Sequence, residues 1–140
     1  MCWATPNPSA SPPPVDTSPI VRKRRVLIVD DNRPTANSLA TILRVWGHEV
    51  SVAHDGFAAL EAASEFNPQV VLADVGLPRM DGYELARQLR LLPGLENVAL
   101  IAVTGYGQES DIRLAEQAGF NHHLLKPLDP YGLERMLARA

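Results

Sequence analysis

Five polar residues come at the ends of four short apolar runs of the sequence, and together they could do chemistry. They are Asp30, Asp31, Asp74, Thr104 and Lys126. Three carboxylates that lie close together repel one another, so at least one is driven toward protonation unless a positive charge compensates. Carboxylates with open water positions suit Mg²⁺, with Mn²⁺ as the alternative, better than zinc, which favours His and Cys. If the fold brings these residues together, they predict a divalent cation site.

With a cation bound, a carboxylate can attack a phosphoryl group and form an acyl phosphate. Such a transfer depends on positioning and charge neutralisation, for which a lysine and a hydroxyl group are suitable partners. Lys126 and Thr104 supply these two groups. We expect Asp74 to be the nucleophile because it stands alone after its apolar run, whereas Asp30 and Asp31 are adjacent and suit a metal-holding pair.

Each of these residues has a simpler explanation when it is taken alone. An Asp after a strand often caps a helix, Thr104 fits a strand because it is β-branched, and Lys126 can be a solvated surface residue. The functional interpretation therefore depends on the elements that bring the five residues together.

Those elements alternate between strands and helices from Val26 onward. Short apolar runs predict strands at 26–29, 50–53, 70–73 and 98–103 and around 122–125. Helical spacing with Gly and Pro at the ends predicts helices at 34–46, 55–66, 82–92 and 108–118 and from about 130 to the C-terminus. This alternation calls for a parallel sheet with helices on both faces and right-handed crossovers. Ligands bind beyond the carboxyl ends of such strands, where all five polar residues would meet.

Composition and charge indicate one domain without a strong overall field. The chain has 140 residues, is 46% hydrophobic and carries a net charge of −3, which implies no nucleic-acid partner. No apolar run is long enough to enter a bilayer, and the single Cys2 suits a cytoplasmic protein. The first 19 residues hold six of the 12 prolines, so we expect residues 1–21 to be a tail or linker and 22–140 the domain. We interpret the basic run at 22–25 as a solvated lead-in to the first strand.

Several motifs resemble those of the receiver domains of two-component response regulators. These are Val-Asp-Asp at 29–31, Asp74 with Leu-Pro-Arg-Met-Asp-Gly at 77–82, Thr104 after an apolar strand, and Lys126-Pro127. The resemblance covers roughly Arg25 to Arg139, and the chain is similar to the receivers of hybrid histidine kinases. It implies an α/β, flavodoxin-like (βα)5 three-layer sandwich with a five-stranded parallel sheet of order 2-1-3-4-5.

The resemblance also assigns roles residue by residue. Asp74 looks like the phosphoacceptor, and Asp30 and Asp31 look like the acidic pair that positions Mg²⁺ together with Asp74. Gly76 matches the position whose backbone carbonyl completes the metal site. Thr104 matches the switch hydroxyl and Lys126 the phosphate partner. The Lys126–Pro127 peptide bond is expected to be cis.

The cycle that the resemblance implies begins with a histidine kinase or a histidine phosphotransfer protein as phosphoryl donor. The receiver catalyses its own phosphorylation and dephosphorylation, and the phosphoryl group reshapes a surface that binds a downstream target. We expect no separate output enzyme domain. Two settings stay open, a stand-alone receiver and the receiver of a hybrid kinase preceded by its linker.

One residue departs from the family pattern, and two other functions compete with a phosphoacceptor. His123 stands where receivers often carry Tyr or Phe, which puts the usual aromatic read-out in doubt. A pseudo-receiver would bind a partner without phosphorylation, but it would be expected to lose the acidic pair, Asp74 or Lys126. A flavodoxin-like cofactor binder would need a Gly-, Ser- and Thr-rich loop after the first strand, where this chain has Asp-Asp-Asn-Arg-Pro at 30–34.

Overall fold

The computed structural model describes residues 23–105 and 109–139. The predicted tail or linker at 1–21 therefore lies outside the described residues. Five strands and five helices alternate along the described chain: β1 Arg25–Val29, α1 Arg33–Val45, β2 Glu49–Ala53, α2 Gly56–Phe66, β3 Val70–Asp74, α3 Gly82–Leu91, β4 Ala99–Thr104, α4 Glu109–Ala118, β5 His122–Leu125 and α5 Pro130–Arg139.

The five strands form one parallel sheet in the order β2-β1-β3-β4-β5. Val29 at the end of β1 lies beside Ala53 of β2 and Ala73 of β3, and Asp74 lies beside Val103 of β4. All carboxyl ends therefore reach the same edge of the sheet. The predicted flavodoxin-like (βα)5 architecture and its strand order are confirmed.

The sheet is apolar on both faces because helices cover both. Leu27 of β1 packs in one core with Leu85 and Leu89 of α3, while its neighbour Ile28 packs in a second core with Leu43 of α1. Alternate residues of one strand thus point into opposite cores, which is why the strands read as nearly continuous apolar runs. The predicted strand segments are confirmed to within one residue at each end.

Side chains just outside the helices fix where three of them begin. Asn32 caps α1 and accepts from the Thr35 N–H at 3.0 Å, so this helix begins at Arg33, one residue before the prediction. Asp55 caps α2 as predicted, and Asp81 caps α3 in the same way. These caps place the helix starts at the sheet edge where the strands end.

At the other edge of the sheet, the Arg90 guanidinium ties several loops together. It donates to the carbonyls of Glu96, Val98 and Gly119 and to the side chain of Asn121. Burial lowers the pKa of Arg90.

Among the described residues, no helix is long and apolar enough to cross a membrane.

Candidate functional site

The carboxyl edge of the sheet gathers the five polar residues singled out in the sequence. Asp30 follows β1, Asp74 ends β3 and Thr104 ends β4. The carboxylates of Asp30, Asp31 and Asp74 offer oxygen atoms that all lie within 4.8 Å of one another. Asp30 is buried, Asp31 is exposed and Asp74 lies between these extremes. The fold therefore assembles the predicted acidic cluster.

Asp30 is the most buried member of this cluster. Its N–H donates to the Ala53 carbonyl at 3.1 Å, and its Oδ1 accepts from the Asn32 N–H at 2.9 Å. Burial raises the pKa of Asp30 above its ordinary value of 3.8. The charges of Asp74 and Asp31 raise it further, against the opposing effects of the Asn32 hydrogen bond and the Lys126 charge. A bound cation would stabilise the ionised form of this buried carboxylate.

Asp74 is held by one donor on each carboxylate oxygen. Oδ1 accepts from the Gly76 N–H at 2.9 Å, and Oδ2 accepts from Lys126 Nζ at 3.0 Å. The Asp74 side chain is 12% exposed and that of Lys126 is 39% exposed. This carboxylate is therefore fixed in direction but open to an incoming group.

Lys126 keeps its positive charge in this setting. Burial lowers its pKa, but the hydrogen bond and charge of Asp74, with the charges of Asp30 and Asp31, outweigh burial and raise the pKa above 10.5. The backbone N–H of Lys126 donates to the Thr104 carbonyl at 2.9 Å. This bond links the loop after β5 to the end of β4. The Lys126–Pro127 peptide bond is cis, as predicted.

The start of α3 approaches the backbone of Asp74 so closely that only glycine fits. A Cβ on Gly82 would lie 2.6 Å from Val75 Cα and 2.9 Å from the Asp74 carbonyl oxygen. The Gly82 N–H also donates to the Val75 carbonyl at 3.1 Å. The last residue of the motif at 77–82 therefore has a packing role beneath Asp74.

His123, which departs from the family pattern, lies beside the end of β4. It is half-buried on β5 and lines a small cavity with Thr104, Val75 and Tyr83. The imidazole thus stands close to the hydroxyl-bearing residue of the site, although it is not one of the acidic or basic groups that meet at Asp74.

A larger cavity of about 480 Å³ opens beside the acidic cluster. Asp30, Asp74 and Lys126 line it together with apolar residues, which include Leu39 of α1 and Leu128 of the loop between β5 and α5. The Asp74 carboxylate is therefore bordered on this side by apolar surface, which sequence reasoning did not predict.

Sequence reasoning also missed His54 and Arg79. His54 Nδ1 lies 3.0 Å from the Asp30 carbonyl oxygen, and Arg79 Nη2 lies 3.1 Å from Asp55 Oδ2. His54 directly follows β2 and so lies at the same sheet edge as the cluster, whereas Arg79 lies in the loop between β3 and α3 and follows no strand directly. Only the adjacency of β1 and β2 in the sheet brings His54 to Asp30.

Comparison with known proteins agrees with this arrangement. Residues 26–138 match the family described as response regulator receiver domain. A 14.6 kDa protein from the sodA1 3' region of Leptolyngbya boryana is 38% identical over 112 residues, which cover 80% of this chain and 86% of that protein. Response regulator MprA of Mycobacterium ulcerans is 36% identical over 115 residues, which cover 82% of this chain and 47% of MprA. The chain therefore matches about half the length of MprA.

Two solved structures have the same fold over most of the chain. Chemotaxis protein CheY4 of Vibrio cholerae superposes with a TM-score of 0.81 at 27% identity, covering 84% of this chain and 98% of CheY4. The receiver domain of sensor histidine kinase PA1611 from Pseudomonas aeruginosa superposes with a TM-score of 0.77 at 31% identity, covering 84% of this chain and 97% of that domain. The latter was solved with a magnesium ion coordinated in its active site cleft.

Proposed function

The chain belongs to the response regulator receiver family of two-component signalling, and on that premise we propose that it accepts a phosphoryl group on Asp74. The observation that carries the proposal is the pairing of the Asp74 carboxylate with Lys126 at 3.0 Å, within reach of two further carboxylates. An ammonium on one side and a cation-binding cluster on the other are what a phosphoryl transfer needs for charge neutralisation.

Mg²⁺ is the cofactor that this cluster fits best. Asp30, Asp31 and Asp74 would hold it, with the Gly76 carbonyl as a further ligand. All of these donors are oxygen atoms, which Mg²⁺ prefers and which Mn²⁺ also accepts. When bound, the cation neutralises charge on the transferring phosphoryl oxygens. The raised pKa of Asp30 supports the fit, because burial and the neighbouring carboxylates disfavour its charged form, which a bound cation would stabilise.

The protein's own residues then carry the transfer. An oxygen of Asp74 attacks phosphorus, the O–P bond forms, the N–P bond of the phosphohistidine breaks, and the histidine ring nitrogen leaves with its electron pair. Lys126, which now pairs with the carboxylate, can pair with a phosphoryl oxygen after transfer. The Thr104 hydroxyl donates to another oxygen. Water attack on phosphorus later releases inorganic phosphate and restores the carboxylate.

We propose a histidine kinase or a histidine phosphotransfer protein as the phosphoryl donor. We also propose that the reaction takes place in the cytoplasm. The sequence resemblance to hybrid-kinase receivers and the fold match to the PA1611 receiver domain support a hybrid kinase as one setting. A response regulator is the other setting, supported by the match to MprA. In either setting, the phosphoryl group would alter the surface near Thr104 and so the binding of a downstream target.

Intact-mass measurement after incubation with Mg²⁺ and acetyl phosphate tests the proposal. We expect one added phosphoryl group on the wild type and on Asp129→Asn, a control that changes an exposed carboxylate outside the cluster. We expect none on Asp74→Asn. A wild-type protein that takes up neither this phosphoryl group nor beryllofluoride would instead favour a pseudo-receiver that binds its partner unphosphorylated.

A further inference from the structure

The turn at residues 54–57, which joins β2 to α2 and includes the first two residues of α2, contacts both loops that carry the proposed metal ligands. His54 is half-buried, and its Nδ1 lies 3.0 Å from the backbone carbonyl oxygen of Asp30. A carbonyl can only accept a hydrogen bond, so Nδ1 must carry the proton and donate. Both backbone groups of Asp30 are thus held by consecutive residues of the chain, since its N–H donates to Ala53 at 3.1 Å.

The same turn reaches the loop that follows Asp74. Asp55 accepts from the Ala58 N–H at 2.8 Å through Oδ1 and from Arg79 Nη2 at 3.1 Å through Oδ2. The Arg79 guanidinium also lies over the Phe57 ring, 5.5 Å from its centroid. The turn therefore bridges the Asp30 loop and the loop that contains Gly76.

The two contacts differ in strength. The Arg79–Asp55 pair is exposed, with 67% and 27% of the side chains accessible, and such surface pairs contribute about 0 to 1 kcal/mol because water screens them. The His54 hydrogen bond is partly buried and holds the backbone carbonyl of Asp30, whose side chain is the most buried carboxylate of the cluster and accepts from the Asn32 N–H. Of the two, His54 is better placed to control where the Asp30 carboxylate points.

We propose that His54 is a positioning residue, which donates from Nδ1 to the Asp30 carbonyl and thereby sets the affinity of the acidic cluster for a divalent cation. The inference rests on the proposed function, because it assumes that Asp30 is a metal ligand. Groups that orient a metal ligand without touching the metal commonly change affinity by about 10- to 100-fold when they are removed.

Three substitutions distinguish the loss of the hydrogen bond from a change in side-chain volume. His54→Leu fills similar space but cannot donate, whereas His54→Asn places an amide N–H near the position of Nδ1. His122→Leu removes another half-buried histidine, on β5, and serves as the control. Should His54→Leu fail to fold, as judged by circular dichroism, His54→Ala takes its place in the same comparison.

The measurement is the dissociation constant of Mg²⁺ alone, obtained by titration while amide resonances are followed by nuclear magnetic resonance. We expect about tenfold weaker binding for His54→Leu and near-wild-type binding for His54→Asn and His122→Leu. With acetyl phosphate, the Mg²⁺ concentration that gives half-maximal phosphorylation should rise for His54→Leu while the rate at saturating Mg²⁺ is unchanged.

Two results would overturn the inference. One is a wild-type Mg²⁺ affinity in His54→Leu, and the other is an equal loss in His54→Asn and His54→Leu when both are folded. Asp30→Asn keeps the two proposals apart. If Asp30→Asn lowers Mg²⁺ affinity but His54→Leu does not, only the role of His54 is wrong. If Asp30→Asn binds Mg²⁺ as the wild type does, the proposed metal site itself is wrong.

Discussion

Asp30→Asn should make the metal-free protein more stable at neutral pH while removing its response to Mg²⁺. Asn keeps the size of the side chain and an oxygen that can accept the Asn32 hydrogen bond. It removes one negative charge from a cluster in which two other carboxylates face it and only Lys126 opposes them. In the wild type, the Asp30 carboxylate therefore faces a net excess of about one negative charge.

The size of the gain follows from the spacing of the carboxylates. One oxygen from each carboxylate lies within 4.8 Å of the others, and two unit charges at that limiting distance repel by about 1 kcal/mol at the dielectric constant of water and by about 3 kcal/mol at an effective value near 20. Asp31 is exposed, so the lower half of this range applies. We expect the free energy of unfolding to rise by about 1 to 2 kcal/mol, or a urea midpoint higher by roughly 0.5 to 1 M.

Urea denaturation with a chelator, and again with Mg²⁺, measures both effects over a range of pH. The pKa of Asp30 in the folded chain lies above 3.8, so the folded chain binds more protons than the unfolded chain just above that pH. The stability that Asp30 contributes is present below 3.8 and is lost as the pH rises through its raised pKa. The advantage of Asp30→Asn should therefore be largest at neutral pH, and Mg²⁺ should stabilise the wild type alone.

A metal-free Asp30→Asn protein that is no more stable than the wild type at low salt would refute this reasoning. So would an advantage that grows as the pH falls below 3.8, because Asp30 is then neutral in the wild type. Asp129→Asn, which changes an exposed helix cap outside the cluster, should show neither effect.

Three other substitutions test the account at different places. Lys126→Ala should still accept phosphate from acetyl phosphate, but more slowly and with weaker signalling, and normal target binding by the phosphorylated variant would contradict the role of Lys126. Gly82→Ala should cost about 1 to 3 kcal/mol of unfolding free energy in urea, because its Cβ meets backbone beneath Asp74 at 2.6 Å, whereas Gly105→Ala meets nothing within 4 Å and should cost little. Arg90→Ala should cost about 2 to 4 kcal/mol, since it leaves several carbonyls without a donor, and a loss under 1 kcal/mol in the same assay would show that water replaces the guanidinium.

Much of the fold could be predicted because the local signals and the packing agree. The strands are apolar throughout since both faces are buried, and Asp55 caps its helix as its sequence position indicates. Helix ends were less certain: α1 begins at Arg33, one residue before the prediction, because Asn32 supplies the cap. Pro34 is compatible with more than one position in the first turn, so it does not fix the first helical residue.

The convergence of the acidic cluster could be predicted from strand ends, since a parallel sheet brings them to one edge. The contacts around the cluster could not. The link between His54 and Asp30 depends on which strands are neighbours and on the rotamer of a loop side chain. The fit of Gly82 against Val75 depends on how closely α3 approaches the sheet, which no residue spacing reports.

Reductive trapping tests the central claim most directly, because borohydride converts an aspartyl phosphate into homoserine and so marks the residue that carried the phosphoryl group. The protein is incubated with Mg²⁺ and acetyl phosphate, reduced, digested and sequenced by mass spectrometry. The account predicts homoserine at position 74 and nowhere else. Homoserine at position 30 or 31, or a phosphoryl group that survives on a hydroxyl residue such as Thr104, would contradict it.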